Sequence, residues 1–181
     1  MQADNKIMGM IDTMSVAELK TQLLEYMMND ASLKPRLVSI EIRLNKASGT
    51  KSRYDVLLVN EQGDEIPVKF HDRYSRLIYI YTLLHPHGYH RRTPAANNYR
   101  ALCQLYNLLY YKDSDALLRT INGSGYDHFF SHYVTQSRKA IRQASPLADE
   151  FVIDHPQSHN GKTLIPFANQ GGTVIIDASL Q

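Results

Sequence analysis

Residues 126–145 read YDHFFSHYVTQSRKAIRQAS, and the way this stretch folds decides the rest. Phe130, Val134, Ser137, Ile141 and Ala144 step by 4, 3, 4 and 3, the spacing that gathers side chains on one face of an α-helix. Asp127 has the chemistry of an N-cap, so the pattern predicts a helix over 127–144. A polar stripe runs beside the apolar one: Ser131, Thr135, Arg138 and Arg142, widened by His132, Gln136, Lys139 and Gln143. No carboxylate follows Asp127 within the stretch. Arg and Lys reach guanine edges and phosphates, Gln pairs with adenine, and Ser and Thr bond phosphates. The outer face therefore has the composition of a helix that enters a DNA major groove. A solvated helix face has the same composition and stands as the plain alternative.

Working outward, NGSG (122–125) breaks the chain, and DSDALLRTI (113–121) predicts a short helix capped by Asp113 or Ser114. NYRALCQLYNLLYYK (98–112) is a strongly apolar helix. In HDRYSRLIYIYTLLHP (71–86), Leu77, Ile80, Tyr81 and Leu84 share a helical face, and Pro86 and Gly88 stop the helix. Before it, LVSIEIRL (37–44) alternates, with Val38, Ile40, Ile42 and Leu44 on one side. RYDVLLVN (53–60) and IPVKF (66–70) complete an antiparallel meander, with Pro67 marking an edge or a strand start. An N-terminal helix is expected near 15–30, with Ser15 as cap and Glu18 at the capping-box position. After the long helix, DEFVIDHP, TLIPF and TVIID read as strands of a terminal hairpin over 151–177. Residues 1–35 thus form a helical segment, and 36–181 a single α+β domain.

Composition narrows the function. The chain has 181 residues, is 43% hydrophobic and 21% charged, and carries a net charge of +2, so attraction to nucleic acid has to come from local clustering. The single cysteine, Cys103, excludes an internal disulfide and reads as a small hydrophobe. The N-terminus lacks the apolar region of a signal peptide. The longest apolar run, LIYIYTLL (77–84), is far short of the roughly 20 residues of a membrane span. A cytoplasmic protein with no membrane partner is expected.

Catalytic and metal signatures are weak. His85, His87 and His90 fall in a turn; His128 and His132, like His155 and His159, are spaced i and i+4. That spacing can hold zinc, yet there is no H-E-x-x-H and no second cysteine. Neither G-x-S-x-G nor a Walker loop occurs. Asp113, Asp115, Asp149 and Glu150 sit at helix ends, where capping accounts for them. No enzyme activity, cofactor or metal is expected. Tyr79, Tyr81, Tyr106, Tyr110 and Tyr111 interleave with Leu and Ile; core packing, a base-stacking platform and a protein interface are all open to them.

The order of elements resembles a known architecture. A small antiparallel sheet, a helix ending in LLHPHG (83–88), further helices, the long helix with SHYVTQSRKAIRQA (131–144) and a terminal hairpin look like the winged-helix effector domains of bacterial response regulators. The resemblance covers roughly residues 53–177. It implies a winged-helix-like fold whose last helix sits in the major groove and whose hairpin, the wing, touches the minor groove or backbone. Carried over, Thr135, Arg138, Lys139 and Arg142, with Ser131 beside them, fall on the recognition face. Asn160, Gly161 and Lys162 fall at the wing tip, and Arg91 and Arg92 within reach of phosphates. The connection over 86–126 departs from the family, which uses a tight helix-turn-helix. No receiver domain is expected before residue 35, as in bacterial proteins with a winged-helix-like C-terminal half and no established activity. The expectation is a transcription-regulator-like protein that binds duplex DNA, as a homodimer if the N-terminal helix pairs with its copy. The alternative is a non-enzymatic interaction module that keeps the shape without binding nucleic acid.

Overall fold

The apolar run at 77–84 lies at the centre of the fold. In order along the chain, the computed structural model contains β1 (Leu37–Leu44), β2 (Tyr54–Asn60), β3 (Glu65–Pro67), α1 (Arg73–Leu83), α2 (Ala96–Tyr110), α3 (Asp115–Ser124) and α4 (Tyr126–Ala144). These are followed by β4 (Gln157–His159), β5 (Lys162–Leu164) and β6 (Thr173–Ile176), with short 3-10 turns at Ala148–Phe151 and Ala178–Leu180. The structure describes residues 15–16, 18, 20–21, 35–45, 52–85, 96–112, 114–153, 157–159, 162–164 and 172–180. By its contacts the chain divides into Met1–Pro35 and Arg36–Gln181.

In the first unit Val16, Glu18, Lys20 and Thr21 are helical. Ser15 and Glu18 form the predicted capping box. The Ser15 amide donates to Glu18 Oε2 at 2.9 Å, and the Glu18 amide donates to Ser15 Oγ at 3.3 Å. The Ser15 hydroxyl also donates to Glu18 Oε2, at 2.7 Å, and this bond, followed by that of the Ser15 amide, favours the carboxylate and holds its pKa below the ordinary value.

The second unit is α+β. Its sheet has the order β3-β2-β1-β6. β1 and β2 pair antiparallel, with Ile40 opposite Leu58 and Ile42 opposite Val56. Asn60 closes the turn to β3 by accepting from the amides of Gln62 and Asp64 at 3.0 and 2.8 Å; Gly63 takes the left-handed φ of +85° that this turn needs. β3 is an edge strand, which tolerates the missing amide of Pro67.

Two sequence readings shift here. Val38 was expected to share the inner face of β1 but is 38% exposed, and Leu37 is buried instead. The register slips between Leu37 and Ser39, and one extra residue reverses the alternation before it. The expected hairpin over 151–177 is divided. Phe151, Val152 and Ile153 are all buried; three consecutive buried residues do not suit a strand with one solvated face. Among the described residues β4 and β5 pair with each other and not with the main sheet, with His159 opposite Lys162. β6 joins the main sheet parallel to β1, with Ile40 beside Val174 and Ile42 beside Ile176.

The helices enclose α1, whose residues Tyr74, Ser75 and Leu77–Leu83 are all buried. Asp72 caps it, accepting from the Ser75 amide at 2.7 Å. The tyrosines serve mainly as core. Two anchor their hydroxyls, Tyr79 donating to the carbonyl of Phe151 at 2.6 Å and Tyr110 to that of Arg73 at 2.7 Å, whereas the buried hydroxyls of Tyr106 and Tyr126 have no hydrogen-bond partner among the described residues. Tyr111 is the exception, 75% exposed. Cys103 is half-buried on α2. α3 runs to Ser124, and Gly125, with φ +78° and ψ 144°, turns it directly into α4.

Candidate nucleic-acid interface

α4 folds as its periodicity requires. Phe130, Val134, Ser137 and Ile141 are buried and Ala144 half-buried; Tyr126, Phe129 and Ala140 broaden the inner face. Phe129 and Tyr133 pack against Tyr74 of α1 at 5.6 and 5.3 Å between ring centroids. Buried Ser137 returns its hydroxyl to the carbonyl of Val134 at 2.8 Å, so its polarity costs little.

Residues seven apart on a helix of about 3.6 residues per turn nearly eclipse each other, so the outer face resolves into rows. His128, Thr135 and Arg142 form one exposed row, and His132 and Lys139 a second. Ser131 and Arg138 form a third, half-buried row at the border of the core. The centre of the exposed face therefore lies between the first two rows, displaced from the predicted stripe of Ser131, Thr135, Arg138 and Arg142. The two histidines, given only a minor place in the sequence pattern, stand at its N-terminal end with rings 6.4 Å apart and nearly parallel.

Each predicted site residue on this helix has a definite environment. Thr135 Oγ1 donates to the carbonyl of Ser131 at 2.9 Å. Lys139 is exposed. Arg138 has its Nε buried without a hydrogen-bond partner among the described residues. Arg142 is committed: its Nε donates to Asp149 Oδ1 at 2.7 Å, closing an ion pair between the last turn of α4 and the following 3-10 turn. Asp149 was read as a capping residue, and its seven-residue separation from Arg142 gives no helical signal because the chain leaves the helix at Ser145.

Lys162 belongs to β5, opposite His159; its side chain lies outside the described residues, as do Arg91, Arg92, Asn160 and Gly161. Five of the eight predicted contact residues are thus placed together on α4. Among the described residues no group of three or more His, Cys, Asp or Glu side chains is placed to hold a metal ion, and no helix is long and apolar enough to cross a membrane. Comparison with protein-family models, with curated proteins and with solved structures returned no match.

Proposed function

We propose that the chain is a non-enzymatic, transcription-regulator-like protein that binds duplex DNA through the outer face of α4. One observation carries the reading: the rows His128–Thr135–Arg142 and His132–Lys139 are exposed, and they contain cations, imidazoles and a hydroxyl but no carboxylate. A helix presenting these groups suits phosphate and base-edge contacts. In this reading residues 53–177 are winged-helix-like. α4 faces the groove, the β4–β5 hairpin with Lys162 is the wing, Arg91 and Arg92 meet the backbone, and a homodimer occupies two half-sites.

Fluorescence anisotropy with a labelled duplex tests it. The logarithm of affinity should fall against the logarithm of salt by roughly 0.9 per phosphate contact. Lys139→Ala with Arg142→Ala should weaken binding and flatten that slope. Affinity weaker than about 1 μM at low salt across random duplexes refutes the proposal.

A protein-interaction module is the second reading, and the ion pair of Arg142 with Asp149 favours it. That pair and the half-burial of Arg138 leave Lys139 as the exposed cation of the face with no carboxylate partner among the described residues.

A further inference from the structure

A second cationic site lies away from the exposed face of α4. Ser52, Phe70, His71, Asp72, Arg73, Arg76, Tyr110 and Lys112 line a cleft of about 520 Å³, within the size range of small-molecule sites. The residues come from the start of β2, the approach to α1, α1 itself and the end of α2, so the fold alone brings them together.

The two arginines are held in place by uncharged groups. Arg76 Nη1 donates to the carbonyl of Tyr54 at 3.2 Å, and its guanidinium lies 5.5 Å from the Phe70 ring centroid. Arg73 Nη2 donates to the Tyr74 hydroxyl at 2.9 Å, with its guanidinium 4.8 Å from the Tyr74 ring and 5.7 Å from that of Tyr106. Among the described residues neither arginine, nor Lys112, forms an ion pair with a carboxylate. Among the described lining residues the one carboxylate is Asp72, the cap of α1, which accepts from the Ser75 amide. Against the two half-buried guanidiniums and the exposed Lys112 ammonium the described lining sets one carboxylate, which leaves a net positive charge that an anion would offset. Guanidiniums pre-oriented by aromatic rings and a carbonyl suit the flat, multi-oxygen face of a phosphate.

We infer that this cleft binds the phosphate group of a small phosphorylated molecule, with Arg73, Arg76 and Lys112 on the phosphate oxygens and Phe70 and Tyr110 against the body of the ligand. The cleft shares no residue with the exposed rows of α4, so the inference stands or falls independently of DNA binding.

Isothermal titration calorimetry of the full chain with adenosine monophosphate, inorganic phosphate and adenosine tests it. The monophosphate should bind with Kd of about 1 mM or tighter, inorganic phosphate should compete for the site, and adenosine should not bind. Arg76→Gln should weaken the monophosphate by about tenfold or more, the worth of a charge-assisted hydrogen bond. Because Arg76 is half-buried, Lys112→Gln provides a variant at an exposed position; it should weaken binding several-fold, while Arg119→Gln, exposed on α3, should not. Binding of adenosine as tight as that of its monophosphate overturns the inference. So does the absence of binding by either phosphate, or unchanged affinity in Lys112→Gln.

Discussion

Replacing Tyr79 with phenylalanine removes a single oxygen from the middle of the fold. Tyr79 is fully buried, and its hydroxyl donates to the carbonyl of Phe151, itself fully buried. The ring keeps its packing against Phe70, at 5.7 Å between centroids, so little cavity opens. What changes is the carbonyl, which loses its hydroxyl donor where solvent does not reach. Leaving a buried acceptor unsatisfied costs about 1–3 kcal/mol. For a domain of this size that corresponds to a Tm lower by roughly 3–10 °C. Thermal unfolding followed by circular dichroism measures it, with Tyr111→Phe, exposed on the surface, as the variant expected to melt with the wild type. The contact joins α1 to the segment that departs from the expected hairpin. A Tyr79→Phe protein that folds and melts within about a degree of wild type would refute both the bond and the seating of Phe151 beneath α1.

Three further outcomes follow from the same contacts. Burial raises the hydroxyl pKa of Tyr81 to about 12, and lifts those of Tyr79, Tyr110 and Tyr126 well above the ordinary value of about 10. The folded chain then keeps protons that the unfolded chain releases. Stability is intact below about pH 10 and falls as pH rises beyond it, by up to about 1.4 kcal/mol per pH unit for each such tyrosine; urea unfolding at about pH 8 and about pH 11 reads the difference. Gly125→Ala places a Cβ in open space but at φ +78° and ψ 144°, so the penalty is backbone strain alone, about 1–3 kcal/mol, seen as a lower urea midpoint. Asp149→Asn releases Arg142 and should strengthen duplex binding several-fold at low salt with a steeper salt slope; weaker binding would show that the pair positions Arg142 for its contact.

The sequence was most legible where one periodicity governed a whole element. Val134, Ser137 and Ile141 lie on the buried face of α4 as their spacing required, and the Ser15–Glu18 box is formed by its own two residues. The slip at Leu37 was hidden because a bulge leaves no mark in an alternating string. The tail misled for another reason: TVII is a good strand sequence whether it pairs with its neighbour or with a distant edge, and only tertiary context selects β1. The site followed the same division. Helical spacing identified the outer face of α4, but the half-burial of Arg138 and the pairing of Arg142 depend on elements that a helical projection omits. The phosphate cleft left no pattern at all, since Arg76 and Lys112 are brought to one cavity only by the packing of α1 and α2.

The parallel seam between β1 and β6 also has a consequence for how the molecule is made. β1 and β2 are neighbours in sequence and can pair as soon as both exist, through a short loop closure. The opposite edge of β1 has to wait for residues 173–176, which lie beyond four helices. Until then Ser39–Ile42 present unpaired amides and carbonyls to any other extended chain, the kind of open edge that invites association between partly folded molecules. Nascent or slowly refolding chains are therefore most exposed to aggregation along β1, and completion of the sheet is a late, non-local event in folding.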